Sequence, residues 1–301
     1  MVSDVQPTPE VGCACRVCGG SARLRYAEKV NGEDRTETSF SSRKIPDYAH
    51  FAYAECDTCK SLSRMDHPHV DELFASYRDA EFVSAAESKY AARTYAALAN
   101  RYVKTFSRVL DIGSSDGTFL EEMSRRGVDV AGVEPSAMAV RNASPEMQQR
   151  TFVGPLESYR TTTTFDLVTC FQTIEHLVDL PKFLATVRRL MTNDGRILFV
   201  LHDRGSLVNR LLGEKSPVFD VEHVQILTRA GVTALLESAG FRDVVVRPIT
   251  NRYPLAYWML LLPLPALLKR LVGSRLGRIL LSLPVSIRAG NMCVVATQRA
   301  S

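Results

Sequence analysis

Four cysteines stand at a spacing that suits a metal ion. They form two Cys-x-x-Cys pairs, Cys15 with Cys18 and Cys56 with Cys59, separated by 37 residues. Four thiolates supplied in this way satisfy a tetrahedral Zn²⁺ and leave no position open for catalysis. The pattern predicts a structural zinc site in a module of residues 1–70. Unrelated free thiols and a redox Cys-x-x-Cys are weaker alternatives, because neither pair lies at a predicted strand–helix junction.

A glycine-containing turn follows the first strongly apolar segment. It runs Asp111-Ile-Gly113-Ser-Ser115-Asp116-Gly117 and opens a helix-like stretch. Glycine permits a tight turn and close approach of a ligand, and doubly wound sheets bind ligands at the carboxyl ends of their strands. Asp116 stands where a dinucleotide binder leaves a helix N-terminus free for pyrophosphate. The turn therefore favours a cationic ligand.

An acidic residue ends the next predicted strand. Glu134 precedes Pro135 and lies 21 residues after Gly113. A carboxylate at this place can accept two hydrogen bonds from a ribose diol. The turn and this carboxylate together predict a site for a nucleoside-like ligand.

Two histidines, each preceded by an acid, are candidates for acid–base chemistry. Glu175-His176 follows an apolar strand, and Glu222-His223 lies in a long loop. Histidine can remove a proton near neutral pH, so we expect both pairs to point into one cleft. A structural role for His176, as a helix cap or a loop anchor, is an equal alternative. The other histidines are interpreted as loop residues or bystanders: His50, His67, His69 and His202.

Strands and helices alternate through the second part of the chain. Such alternation predicts an α/β fold with a parallel, doubly wound sheet and helices on both faces. A helical segment over residues 71–104 is expected to join this domain, residues 105–301, to the zinc module. The predicted strands are 109–112, 129–133, 165–171, 195–201, 244–246 and 292–297, and the clearest helices are 118–126, 180–190 and 228–239.

The charge distribution separates an apolar, basic insertion from the rest. The chain of 301 residues carries 37 basic and 33 acidic side chains, a net charge of +4 that is too small to imply nucleic acid. Residues 251–301 contain seven basic residues and no acidic one. Within an insertion at about 250–288, we expect residues 254–285 to form two helices that contact an anionic membrane. A lid over the pocket or a dimer face is the alternative. The N-terminal residues show no secretory signal, so we expect a cytoplasmic protein, peripheral at the inner face of the membrane.

Four segments in order resemble the class I S-adenosylmethionine-dependent methyltransferases. Asp111–Gly117 resembles their first motif, Gly-Val-Glu134-Pro135 the second, and the run from Phe165 to Glu175-His176 the fourth. Asn-Asp-Gly-Arg-Ile-Leu-Phe-Val, which begins at Asn193, resembles the segment that leads into the fifth strand. One departure is Ser115, where many members carry glycine. The resemblance implies a mostly parallel, seven-stranded, Rossmann-like sheet.

The resemblance also implies the roles of individual residues. The Asp111–Gly117 turn would cradle the methionine part of S-adenosylmethionine, Glu134 would hold the ribose hydroxyls, and Leu156-Glu157 would face adenine. The residues expected beside the cofactor are Asp111, Gly113, Ser115, Asp116, Gly117, Glu134, Pro135, Leu156, Glu157 and Gln172.

The zinc motif ahead of this core resembles the zinc-containing subgroup that includes sugar methyltransferases. We expect O-methylation of a saccharide or a lipid-linked glycan precursor, with His176 or His223 as general base. C-methylation of a nucleotide-linked ketosugar is the alternative. A second alternative is a non-catalytic zinc-ribbon binding protein with a vestigial methyltransferase fold.

Overall fold

The computed structural model describes residues 12–30, 49–66, 68–69, 75–78, 87–262 and 264–298. The predicted helical segments at 71–74 and 79–86, together with His67, lie outside these residues. A central sheet of seven strands confirms the predicted doubly wound fold. Its strands are β5 (Arg108–Ile112), β6 (Asp129–Glu134), β7 (Thr151–Val153), β8 (Phe165–Phe171), β9 (Met191–His202), β11 (Phe241–Pro248) and β14 (Asn291–Gln298). They lie side by side in the order β11-β14-β9-β8-β5-β6-β7.

The centre of the sheet is parallel and one edge is antiparallel. β5 pairs in parallel with β6 and β8, so that Val109 lies opposite Val130 and Leu167. β14 is antiparallel to both β9 and β11. The carboxyl ends of β5, β6 and β8 therefore meet at one edge of the sheet, where doubly wound folds bind their ligands.

Helices cover both faces because the central strands are apolar on both sides. Residues 197–201 of β9 are fully buried, and successive side chains enter the two hydrophobic clusters alternately. Successive side chains of a strand point to opposite faces of the sheet, so a strand that is covered on both faces needs apolar residues at consecutive positions. The helices are Ser88–Tyr102, Thr118–Ser124, Ala137–Arg141, Pro145–Arg150, Leu180–Leu190, Leu207–Leu212 and Arg229–Ser238.

Helix ends in the core follow local capping chemistry. The Asp179 carboxylate accepts the amide of Lys182 and starts the helix Leu180–Leu190. The Thr228 hydroxyl accepts the amide of Gly231 in the same way. These contacts satisfy amides that have no partner within the first turn of a helix.

The cysteine-containing module is a second, antiparallel sheet. It has the order β1-β2-β3-β4-β10, from Cys13–Ala14, Ser21–Tyr26, Tyr53–Cys56, Leu62–Arg64 and Gln225–Ile226. Its last strand, β10, belongs to the loop after β9, because Gln225 pairs with Ser63 and Ile226 with Leu62. Residues beyond the predicted module of 1–70 thus complete its sheet.

The insertion differs in detail from the two helices expected. It contains a two-stranded ribbon, β12 (Asn251–Pro254) with β13 (Pro284–Ile287), and three short helices, Leu255–Leu261, Ala266–Gly273 and Arg275–Leu280. Pro265 and Ser274 stand directly before the second and third helices, and a proline ring or a capping serine favours starting a helix over continuing one. No helix among the described residues combines the length and apolar character needed to span a membrane.

A buried tyrosine joins the cysteine module to the core. Tyr53 is fully buried, and its hydroxyl donates to the carbonyl of His223 at 2.6 Å. We expect Tyr53→Phe to lower the free energy of unfolding by about 1–3 kcal/mol, because that carbonyl would lose a buried donor. Urea denaturation measures the change. The control is Tyr102→Phe, whose hydroxyl bonds no described residue and whose loss should cost at most about 0.5 kcal/mol. Equal stability of the two variants would contradict this role for Tyr53.

Candidate active site

The turn after β5 packs against the end of β8. Gly113 has a φ of +76°, and a Cβ placed there would lie 2.3 Å from Oγ1 of Thr173. Both the conformation and the close approach require glycine at this position. Ser115 has a φ of +52°, a left-handed conformation that glycine adopts at least cost. This is a physical reason for the glycine that the resembled family carries there.

Two buried carboxylates lie beside this turn. Glu134 accepts the amide of Ser136 on Oε1 and the amide of Ser115 on Oε2, each at 2.8 Å. Burial raises the pKa of Glu134 to about 7, although these amides act to lower it. Asp111 accepts the hydroxyl of Thr169 at 2.7 Å, and burial raises the pKa of Asp111 to about 7 as well. A ligand carrying positive charge would favour the ionised form of both carboxylates.

Asp116 occupies the mouth of the turn. Its Oδ1 accepts the hydroxyl of Thr118 at 2.6 Å and the amide of Thr118 at 3.3 Å. The carboxylate thus stabilises the start of the helix Thr118–Ser124, and it also lines the cavity. The expected acid at this helix N-terminus is present, and its charge disfavours a phosphate there.

One cavity of about 960 Å³ runs along this edge of the sheet. Cavities for a single ligand occupy roughly 300–1,000 Å³, so this one has room for a cofactor with a small acceptor. Gly117 lies outside its wall, behind the turn. The predicted cofactor residues that line it are Asp111, Gly113, Ser115, Asp116, Glu134, Pro135, Leu156, Glu157 and Gln172.

Gln172 presents an unsatisfied amide to the cavity. It has a φ of +52° at the end of β8, and its backbone N–H donates to the carbonyl of Val200 at 2.7 Å. Neither Oε1 nor Nε2 of its side chain has a hydrogen-bond partner among the described residues. Buried amides without partners are costly. The side chain is therefore suited to bond a ligand.

Glu175 pairs with a histidine other than its sequence neighbour. The sequence predicts two neighbouring acid–histidine pairs in the cleft, but the fully buried Glu175 carboxylate lies behind the cavity wall. Its Oε1 accepts the amide of His202 at 2.7 Å and Nδ1 of His202 at 3.1 Å. Burial acts to raise the pKa of Glu175, but the three nearby histidines outweigh it and bring that pKa to about 2. The interpretation of His202 as a plain loop residue was therefore wrong.

His176 is held on both ring nitrogens. Its Nε2 lies 3.0 Å from the carbonyl of Gln172, which assigns the proton to Nε2 and makes Nδ1 an acceptor. The hydroxyl of Tyr77 donates to Nδ1 at 2.6 Å, and Oε2 of Glu222 lies 3.7 Å from the same nitrogen. Burial lowers the pKa of His176, so the ring stays neutral. The acid beside His176 is therefore Glu222, which lies 46 residues along the chain, and not its sequence neighbour Glu175.

His223 leaves one ring nitrogen available to the cavity. Its Nδ1 donates to the carbonyl of Val218 at 2.8 Å, so Nε2 carries the lone pair, and no described residue bonds it. Burial, followed by the nearby His176 and His202, holds the pKa of His223 well below its usual range. The His223 ring lies 4.9 Å from that of His176 and 5.2 Å from that of His202, centroid to centroid. The three histidines thus converge.

Tyr77 was missed by sequence reasoning. It lies in a helical turn at 75–78, far from the predicted motifs, and lines the cavity beside His176. Burial, reinforced by Glu222, raises the pKa of Tyr77, so its hydroxyl remains a donor. No motif marks this tyrosine, because its place is set by a contact 99 residues along the chain.

The insertion builds another wall of the cavity. Tyr253 and Trp258 are buried, and their rings pack around that of Tyr257 with centroids 4.4–5.6 Å apart. Asn251 is buried beside them with no described hydrogen-bond partner for Oδ1. These residues line the same cavity as the histidines. This part of the cavity wall is thus aromatic, and the side-chain oxygen of Asn251 lies beside the rings.

The four predicted cysteines come together at one end of the module. All four Sγ atoms lie within 4.8 Å of one another, with Cys15 to Cys59 at 3.7 Å and Cys18 to Cys56 at 3.5 Å. A tetrahedron of Zn–S bonds has S–S edges of about 3.8 Å. Amides also point at sulfur, since Val17 donates to Cys15 at 3.4 Å. The donor set and its spacing therefore fit Zn²⁺. The other two predicted core cysteines, Cys170 and Cys293, are buried as expected.

Comparison with known proteins places this site in a family. Residues 82–246 match the family model described as a methyltransferase domain. Over 167 residues the chain is 28% identical to the ubiquinone biosynthesis O-methyltransferase of Aeromonas salmonicida (strain A449), covering 49% of this chain and 70% of that protein. Over 113 residues it is 33% identical to the mitochondrial enzyme of the same name from Schizosaccharomyces pombe, covering 35% and 41%.

A solved structure supports the fold. A protein of Pyrococcus horikoshii OT3 is similar with a TM-score of 0.50 and 18% sequence identity, covering 72% of this chain and 93% of that one. The matched family model spans more than half of the chain and contains the turn, Glu134 and the end of β8. The protein therefore belongs to the class I S-adenosylmethionine-dependent methyltransferases.

Proposed function

We propose that the protein methylates an oxygen atom of a small acceptor that carries an apolar group. The observation that carries this proposal is one continuous cavity that joins the turn after β5 to the three converging histidines. The names of the relatives, O-methyltransferases of ubiquinone biosynthesis, support transfer to oxygen.

The cofactor end of the cavity is assigned to the turn and to Glu134. S-adenosylmethionine supplies a methyl group on a positively charged sulfur. The carboxylates of Asp111, Asp116 and Glu134 give this end of the cavity negative charge, which complements such a ligand. Glu134 holds its amide donors on separate oxygens, which leaves lone pairs for ribose hydroxyls. The buried side-chain amide of Gln172, which has no partner among the described residues, is suited to bond the remaining polar groups.

The acceptor end is assigned to the histidines and the aromatic wall. Nε2 of His223 can remove the proton of an acceptor hydroxyl, because Nδ1 is already engaged with Val218. Tyr77 and Glu222 orient His176, which positions the acceptor beside His223. The rings of Tyr253 and Trp258 offer flat faces for a saccharide or an aromatic ring.

The acceptor class follows from that wall and from the relatives. A lipid-linked glycan precursor is the first candidate, since it presents hydroxyls on a polar head with an apolar chain. A precursor of ubiquinone biosynthesis is the second, favoured by the relatives' names. Methylation of carbon in a nucleotide-linked ketosugar would leave the same cofactor site in use but give a different product.

The cysteine cluster is proposed to hold one structural Zn²⁺. The four sulfur atoms lie within 4.8 Å of one another, and the backbone amides of Val17 and Thr58 donate to the sulfurs of Cys15 and Cys56, an arrangement that would stabilise thiolates. A fourfold thiolate site leaves no open coordination position, so the metal would order the module without taking part in methyl transfer.

Residues 254–285 are proposed to contact an anionic membrane surface. The first of their three helices closes the cavity, as a lid would, through Tyr257 and Trp258. The other two are largely exposed and carry Arg270, Arg275 and Arg278 at the surface. Apolar helices with basic edges bind the interface of anionic bilayers.

The role of Glu134 is tested by cofactor binding. We expect Glu134→Gln to weaken binding of S-adenosylhomocysteine about 10- to 100-fold, because a charged acceptor is replaced by an amide. Since the pKa of Glu134 is about 7, the unmodified protein should bind more weakly below about pH 7 than above it. This dependence should shrink in the variant. Isothermal titration calorimetry measures both effects. Glu237→Gln, at an exposed carboxylate outside the cavity, is the control, and equal affinities for all three proteins would contradict the assignment.

The reaction is tested by a methyl-transfer screen with polyprenyl-linked sugars, sugar nucleotides and phenolic quinone precursors. We expect a product with an O–CH₃ signal in NMR. His223→Gln should lower turnover about 100- to 10,000-fold while it retains cofactor binding. Because the neutral ring is the active form and the pKa of His223 lies below 6.5, the acid limb of the rate profile should fall below that pH.

His69→Gln, at an exposed histidine outside the cavity, is the matched control and should leave turnover unchanged. A C–CH₃ product would favour the ketosugar alternative. Cofactor binding without turnover on every acceptor would favour a non-catalytic protein.

The metal assignment is tested by elemental analysis and hydrogen exchange. We expect one Zn²⁺ per chain in the unmodified protein and in Cys13→Ser, and none in Cys56→Ser. Chelation should remove exchange protection from β1–β4 and also from β10, because β10 completes that sheet. Protection of β5 and β8 should remain. Full protection of the module after metal removal would contradict the structural role.

A further inference from the structure

The helix Leu207–Leu212 buries a polar side chain and exposes leucines, and we call it the inverted helix. Its one buried residue, Asn209, is polar and 2% exposed, whereas Leu207 is 70% and Leu211 77% exposed alongside the exposed Arg210. A helix on a water-facing surface has the opposite arrangement, with apolar residues inward and polar residues outward. The exposed leucines therefore need an apolar partner that lies outside the fold.

Hydrogen bonds fix this orientation. The side-chain amide of Asn209 donates to the carbonyl of Asp203 at 2.7 Å and to that of Gly290 at 3.2 Å, and it accepts the hydroxyl of Ser216 at 2.8 Å. Turning the helix over would break all three bonds and leave a buried amide unpaired. Leu207 and Leu211 are consequently held outward.

The insertion presents a second exposed apolar surface. Its second and third helices bury Val272 but leave most of their large side chains in solvent. Isolated exposed apolar residues are common, but a contiguous group on one segment marks an interaction surface. The exposed members are Leu262, Leu267, Leu268, Leu271, Leu276, Ile279, Leu280 and Leu283.

Both surfaces meet at the cavity. Val208 and Leu212 line it from the inverted helix, and Leu261, Leu262 and Ile287 line it from the insertion. The bond from Asn209 to Gly290, which follows the insertion, ties the two segments together. We call Leu207–Leu212 together with residues 262 and 264–283 the apolar rim of the cavity.

We propose that the apolar rim docks into an anionic lipid bilayer with the cavity opening into the lipid. The acceptor, whose identity rests on the proposed function, would then enter with its apolar chain lying between the two halves of the rim. Charge selects this occupant over a second copy of the chain. Residues 251–301 carry seven basic residues and no acidic one, and a symmetric dimer would bring this face against itself. An anionic bilayer instead complements it.

If only the insertion contacted the membrane, the inverted helix would not be needed for binding. Substitutions in that helix therefore test the proposal separately from the insertion. We therefore test Leu207→Ser/Leu211→Ser by sedimentation of the full chain with vesicles. The vesicles contain phosphatidylcholine alone or phosphatidylcholine with phosphatidylglycerol. We expect the unmodified protein to bind the anionic vesicles preferentially, and the double variant to bind them at least about tenfold more weakly. Leu24→Ser, at an exposed leucine on β2, is the matched control and should bind as the unmodified protein does.

Two further measurements distinguish a lipid bilayer from a second copy of the chain as the occupant of the rim. Circular dichroism confirms that the variants are folded, and sedimentation equilibrium without lipid reports association of the chain. Unchanged binding by the double variant would overturn the proposal, as would absence of vesicle binding by the unmodified protein. Self-association abolished by the double variant, without vesicle binding, would identify a second copy as the occupant and overturn it too. Because neither cofactor nor acceptor is present, failure of the proposed function leaves these outcomes readable.

Discussion

The candidate site depends on one buried carboxylate that must be satisfied by protein atoms. Glu175 is fully buried, and Oε1 accepts two bonds from His202 at the end of β9, while Oε2 bonds no described residue. Its backbone carbonyl accepts the amide of Val224 at 2.8 Å. A buried charge without such donors would be prohibitively costly. The end of β8, the end of β9 and the loop that carries Glu222 and His223 are therefore fixed relative to one another by a single residue.

The same requirement extends outward to the cysteine module. The carbonyl of Val224 accepts the amide of Arg64 in β4, and Tyr53 bonds the carbonyl of His223. The loop that carries the candidate base is thus held by the core on one side and by the module on the other. A structural metal centre would in this way contribute to precision at a site that it does not touch.

Local sequence patterns made the strands and helices of the framework predictable. The side-chain pairs within the site could not be predicted in this way. Apolar runs and the turn at Gly113 depend on neighbours in sequence, and for that reason the central strands and the cavity edge could be inferred. The contacts of Glu175 with His202, of Glu222 with His176 and of Tyr77 with His176 join distant segments. Composition also misleads at Leu207–Leu212, where the one buried residue, Asn209, is polar and two leucines are exposed. No sequence period identifies which side of so short a helix faces inward.

The strand β10 has a consequence for the order in which the molecule forms. The cysteine pairs are made early during synthesis, but their sheet takes its last strand from residues 225–226, beyond most of the central sheet. Domains generally fold as units while the chain is made, N-terminal parts first. Here the first part of the chain cannot close its own edge until the catalytic domain has largely been synthesised. The unpaired edge of β4 would meanwhile remain open to pairing with other chains, so the nascent polypeptide is most exposed to aggregation before residues 225–226 have been synthesised and paired with β4.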